Sequence, residues 1–298
     1  MSVKAELLMP NGFLWGCATA AHQVEGDSVD DWSQWEEGVG RIYQNQRSGA
    51  ACEWWRGRFL EDFDRAATMR NNAQRISIAW SRIEPQEGQF DESAIGRYRE
   101  MLVALHDRGM KPMVTLHHFT NPIWFAERGG WLKDDAPSLF VRFVRRAVEG
   151  LGDLCQLWCT INEPMVYAAQ SYLLGYWPPA MKSMKATAQV GANLLRAHAA
   201  AYHAIKSMQP NSQVGYAHHH LGVQPKAPAF WHRIAAQAID RLMNRAFNEA
   251  LLTKAPSIGW ACSTTKSAWR PSIRSSWGMP SAWRSPKACP SDRKIGAG

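Results

Sequence analysis

The stretch Leu157-Trp158-Cys159-Thr160-Ile161-Asn162-Glu163-Pro164 is a short apolar run that closes on an amide, a carboxylate and a proline. A carboxyl group at the end of a buried run is costly unless it is partnered, so Glu163 invites a catalytic reading. The last five residues also read as a turn that caps a following helix, and alone they do not separate the two meanings. The run has companions. Residues 13–20, 74–80, 112–118, 157–162 and 213–218 all read as strands. Between them lie amphipathic patterns at 54–69, 93–108, 137–151, 186–208 and 232–253, the second ending at Gly109, a good residue for a helix C-terminus. In 137–151, Leu139, Phe140, Phe143, Val144, Ala147, Val148 and Leu151 recur at 3.6-residue spacing, a stripe that faces a sheet. Strands alternating with helices imply a parallel sheet wound right-handedly. A closed (β/α)8 barrel and an open doubly wound sheet both satisfy that order, but no Gly-rich phosphate loop follows any strand.

Further motifs flank this core. Phe13-Leu14-Trp15-Gly16-Cys17-Ala18-Thr19-Ala20 leads to Gln23-Val24-Glu25-Gly26. Then come Arg75-Ile76-Ser77-Ile78-Ala79-Trp80-Ser81-Arg82-Ile83 and Val114-Thr115-Leu116-His117-His118-Phe119. In this order and spacing, together with Thr160-Ile161-Asn162-Glu163-Pro164, they resemble glycoside hydrolase family 1, the β-glucosidase family of retaining enzymes. The resemblance runs from about Asn11 to about Lys254.

It implies an α/β fold, the (β/α)8 TIM barrel, in an incomplete form: about five βα units precede residue 255, and the barrel needs eight. Retaining glycosidases use two carboxyl groups roughly 5–5.5 Å apart, one as acid/base and one as nucleophile. By resemblance Glu163 is the acid/base, at the C-terminal end of the fourth strand, where such barrels place their active sites. Asn162, Gln23 and His118 match sugar-hydroxyl ligands, and Arg75 matches the residue that orients the nucleophile. Strict alternation sends Asn162 and Glu163 to opposite faces, so both reach one sugar only if the strand bends or bulges at its end. His117 should point away from the site. Phe119 stands where the family commonly has Trp, which keeps an apolar platform and loses an indole donor.

The family's nucleophile is a Glu in a Glu-Asn-Gly signature on strand seven. No Glu-Asn-Gly occurs here, and the last Glu is Glu249. No nucleophile is therefore found, and the chemistry is expected to be incomplete in the chain as written. The implied substrates are β-glucosides, then β-galactosides or β-fucosides, with a phospho-sugar open because the phosphate-reading residues would fall in the missing part. No cofactor or metal is implied, since two carboxyls suffice. A non-catalytic carbohydrate-binding remnant of the same family is the alternative.

Composition supports a two-part division, 1–255 as barrel and 256–298 as tail. The tail holds nine Ser, four Trp, no Glu and seven Lys or Arg against one acid, so it carries +6 of the formal net charge of +8. It shows neither a period of 2 nor of 3.6, and reads as irregular: a frame-shifted end, or a genuine divergent one. The body is nearly neutral, which gives no nucleic-acid signal. Six widely spread Cys fit neither a disulfide scaffold nor a zinc pattern and read as reduced thiols. His218-His219-His220 looks metal-like, but neighbours on a strand point oppositely, so the triplet reads as structural. Trp54-Trp55 reads as helix packing. No apolar run approaches ~20 residues and the N-terminus lacks a signal-peptide core, which predicts a cytoplasmic protein with no membrane partner. Oligomeric state is not legible.

Overall fold

The computed structural model describes residues 9–254 and the strand at 262–265. Six strands form one sheet in sequence order: β1 (Gly16–Ala18), β2 (Ala73–Ser77), β3 (Lys111–His117), β4 (Leu157–Asn162), β5 (Gln213–His219) and β6 (Cys262–Thr265). Every adjacent pair is parallel, with helices in the connections from β1 to β5, the arrangement of an incomplete (β/α)8 barrel. The sixth strand lies past residue 255, in the segment whose composition sets it apart as tail. The rest of that segment lies outside the described residues.

The helices form where periodicity and capping agree. Asp91 accepts from the backbone N–H groups of Ser93 and Ala94 and starts the Glu92–Asp107 helix; Gly109, at φ 69°, follows its end. Ser183 caps Met184–Met208, two residues before the start that the pattern predicts. Ala136–Leu151 carries Pro137 in its first turn, where a missing N–H costs nothing, and buries the whole predicted stripe. That stripe meets Trp80, whose ring stacks on Phe143 at 5.3 Å and packs on Phe125 and Phe140. The predicted 232–253 helix runs as Phe230–Asp240, a π turn at Arg241–Arg245, and Ala246–Lys254.

Two predicted strands are shorter than their apolar runs. β2 stops at Ser77, and Trp80–Ile83 turns as a helix because the Trp80 indole donates to Glu84 Oε2 at 2.8 Å while its ring fills the core. Of 13–20 only Gly16–Ala18 pairs. A Cβ at Gly16 would lie 2.9 Å from the carbonyl carbon of Ala73, so this close approach requires glycine. Trp54 and Trp55 pack as expected: Trp54 is buried against Phe63, and Trp55 lies beneath the Arg82 guanidinium.

Candidate active site

The C-terminal end of β4 decides what its carboxylate can reach. Trp158 and Thr160 turn towards the outer layer, where Trp158 donates to Gln209 and the Thr160 hydroxyl meets His198 of the Met184–Met208 helix at 2.7 Å. Asn162 has the same parity and should follow them. Instead its Oδ1 accepts a hydrogen bond from Arg75 Nη2, on β2. The cause is a register shift: Cys159 pairs with Gly215 but Asn162 with Ala217, three steps on β4 against two on β5. One residue has been inserted as a bulge, which turns Asn162 over. Glu163 then takes up a left-handed conformation, φ 45° and ψ 61°, and its N–H donates to the Ala217 carbonyl at 2.9 Å. A non-glycine residue in that region is uncommon and strained. The bulge and the bend together are the device that alternation demanded.

Around Asn162, Arg75 is half-buried and also donates from Nε to Thr115 Oγ1 at 2.9 Å. Among the described residues it meets no carboxylate. Thr115 lies in the quoted Val-Thr-Leu-His-His motif, yet its role as an Arg75 partner had no signal beyond strand position. His118 is half-buried; burial foremost, then the positive charge of Arg75, hold its imidazole down at about 3, so it is neutral. Its Nδ1 is buried without a partner among the described residues. A neutral imidazole with an unused nitrogen is what a hydroxyl ligand would meet. His117 turns the other way, its Nε2 3.1 Å from Asn121 Oδ1 and its ring edge-on to Trp131. Phe119, at φ 76°, is stacked on Tyr167 and packs on Trp177.

Gln23 sits on the helical turn Ala21–Val24, exposed, and its side chain has no hydrogen bond among the described residues. Its neighbours, by contrast, are tied down. His22 lies between Asp30 Oδ2 (3.1 Å) and Glu36 Oε1 (2.9 Å). Burial opposes its charge, but the two carboxylates prevail and raise it to about 10. Glu25 is buried, bonded to Arg82 Nε (2.8 Å) and the Tyr98 hydroxyl (2.9 Å), and burial lifts it to about 6 against those partners. Asp31 accepts two hydrogen bonds from Asn121, which fastens this first loop to the end of β3.

Glu163 is 22% exposed, and its Oε1 lies 3.3 Å from His219 Nδ1 at the end of β5. The His triplet, read as structural in the sequence, thus contributes one member to the site; β4–β5 pairing was the missing signal. Among the described residues no cluster of His, Cys, Asp or Glu has the makings of a metal site. Cys155 and Cys159 are buried, Cys52 is half-buried and Cys17 exposed. No described helix is long and apolar enough to cross a membrane.

Residues 5–275 match the model of glycosyl hydrolase family 1. The chain belongs to that family. Among its relatives, it is 31% identical over 222 residues to β-glucosidase A of Thermotoga maritima, covering 72% of this chain and 49% of that protein. It is 32% identical over 252 residues to a 6-phospho-β-galactosidase of Lacticaseibacillus casei, covering 82% and 52%. A solved structure, a β-glycosidase from Pyrococcus horikoshii, superposes with a TM-score of 0.74 at 36% identity, over 82% of this chain and 56% of that one. The chain spans about half the length of the curated relatives it matches. The family match extends about twenty residues beyond the boundary that composition suggests, and takes in β6.

Proposed function

We propose that this protein is a retaining β-glycosidase acting on β-glucosides or β-galactosides, and that the chain of 298 residues supplies the acid/base half of the site. The observation that carries the reading is the bulge at the end of β4, which turns Asn162 to Arg75 and bends the chain at Glu163. A strand ending regularly would have sent Asn162 into the outer layer. In the first step a carboxylate bonds to the anomeric carbon as the glycosidic C–O bond breaks, and Glu163 gives its proton to the departing oxygen, which leaves as the aglycone alcohol. In the second the Glu163 carboxylate takes a proton from water, whose oxygen displaces that carboxylate. Asn162, His118 and Gln23 bind sugar hydroxyls, with Arg75 placed to hold the nucleophile.

On this reading the nucleophile is absent from the described residues. No Glu follows Glu249. Glu25 is held by Arg82 and Tyr98, and Glu84 by Arg142, Trp80 and the Gly88 N–H. The similarity to a 6-phospho-β-galactosidase keeps phosphorylated substrates within the class.

The test gives the purified chain 2,4-dinitrophenyl β-glucoside, with and without azide. Turnover near background without azide, and formation of α-glucosyl azide with it, is the expected pair of results, since azide replaces the attacking carboxylate from the opposite face. The same assay with the 6-phospho-β-galactoside separates the two substrate classes. Robust hydrolysis without azide would mean that a carboxylate in this chain is the nucleophile. Sugar binding without any azide product would favour a non-catalytic carbohydrate-binding remnant.

A further inference from the structure

The bulge that turns Asn162 over has a second effect on the neighbouring strand. It bonds the Glu163 N–H to the carbonyl of Ala217, two residues before His219. The His219 imidazole thereby reaches Glu163, with Nδ1 3.3 Å from Oε1, and both side chains are about three-quarters buried. Among the described residues no other side chain bonds the Glu163 carboxylate. Pro164, Met165, Val166 and Met243 line the same recess, with His218 the one further polar side chain in its lining among the described residues. A charged contact walled by such groups is stronger than one in water.

We propose that His219 is a positioning residue for Glu163, holding Oε1 through Nδ1–H so that Oε2 is presented to the glycosidic oxygen. The inference rests on the acid/base reading of Glu163 and adds the group that orients it. Orientation is needed here more than at an ordinary strand end. The left-handed turn at Glu163 aims its side chain away from the sheet's regular rows, and no backbone donor fixes the carboxylate. The pair is also a proton store: contact with Glu163 raises the His219 imidazole above its ordinary 6.5, against burial. The nearest other ionisable groups are His218 and His220 on its own segment, whose rings lie 6.0 Å from each other. His218 is held low, by burial first and then by His220 and His219. The helical turn and π turn packed against it contribute no charge to the recess.

Two readouts on the full chain test this. In the first, imidazole resonances are followed by NMR against pH, with the buried His117 and His198 as folding references. His219 should titrate above 6.5 in the unaltered chain and fall to or below it in both Glu163→Gln and Glu163→Ala. An unchanged His219 titration in the two folded variants would overturn the proposal. In the second, azide-supported turnover of 4-nitrophenyl and 2,4-dinitrophenyl β-glucosides is compared. His219→Phe should lower the rate ratio of the poorer to the better leaving group about tenfold, equivalent to about 1.4 kcal/mol, because only the poorer needs the proton well aimed. His219→Gln, which keeps a donor, should recover most of it. Equal losses on both substrates would mean that His219 is merely structural. A coupled titration without any azide product would support the contact while removing the acid/base reading on which it rests.

Discussion

Replacing Thr160 by valine probes the irregular step of β4 between Cys159 and Asn162. The hydroxyl is fully buried, 3.1 Å from the Gly215 carbonyl and 2.7 Å from His198 Nδ1. A hydroxyl has one hydrogen; donated to Gly215, it leaves the oxygen to accept, so His198 must be the Nδ1–H tautomer. Valine keeps the shape and strands that N–H in a site only 1% exposed. An unsatisfied buried donor costs about 1–3 kcal/mol and the lost bond to Gly215 about 1 kcal/mol more. The expected loss is therefore about 2–4 kcal/mol, a shift of roughly 30- to 700-fold in the folding equilibrium at ~1.4 kcal/mol per tenfold. Urea unfolding should show a lower midpoint with an unchanged slope. His198→Phe removes the stranded donor, so the double variant should recover 1 kcal/mol or more relative to additivity, roughly. A loss below about 0.5 kcal/mol, or strict additivity, would refute the idea that this hydroxyl anchors the strand.

Three further outcomes are expected. His198 is held by burial at about 4, below its ordinary 6.5, so the folded state favours its neutral form. That contribution is fully present above pH 6.5 and lost as pH falls towards 4, so the unaltered chain should lose up to about 3 kcal/mol relative to His198→Phe over that window in urea titrations. Gly16→Ala should lower the urea midpoint by about 1–3 kcal/mol in stability, because its Cβ collides with the Ala73 carbonyl group. Glu84→Ala should cost about 3–5 kcal/mol, read by the same unfolding curves, because it leaves the Arg142 guanidinium, the Trp80 indole and the Gly88 N–H without their shared carboxylate. A near-neutral result in either glycine or glutamate variant would show that these contacts relax at no cost.

The local sequence determined the order of strands and helices, because periods of 2 and 3.6 are properties of neighbouring residues. The stripe from Leu139 to Leu151 and the Leu157–Asn162 strand are found where the pattern places them. The motifs around Trp80, His118 and Glu163 were enough to identify the family. What local pattern could not decide was where a run stops being a strand and which face a side chain takes after an irregularity. Ser77 ends β2 because Trp80 and Glu84 find each other across one helical turn. β6 lies in a segment with no period of its own, and joins the sheet by pairing with β5. The turning of Asn162 towards Arg75 and the approach of His219 to Glu163 both come from one extra residue in the β4–β5 ladder. A bulge is a mismatch between two strands 55 residues apart, so it leaves no mark in either strand alone; only their pairing in the folded sheet defines it.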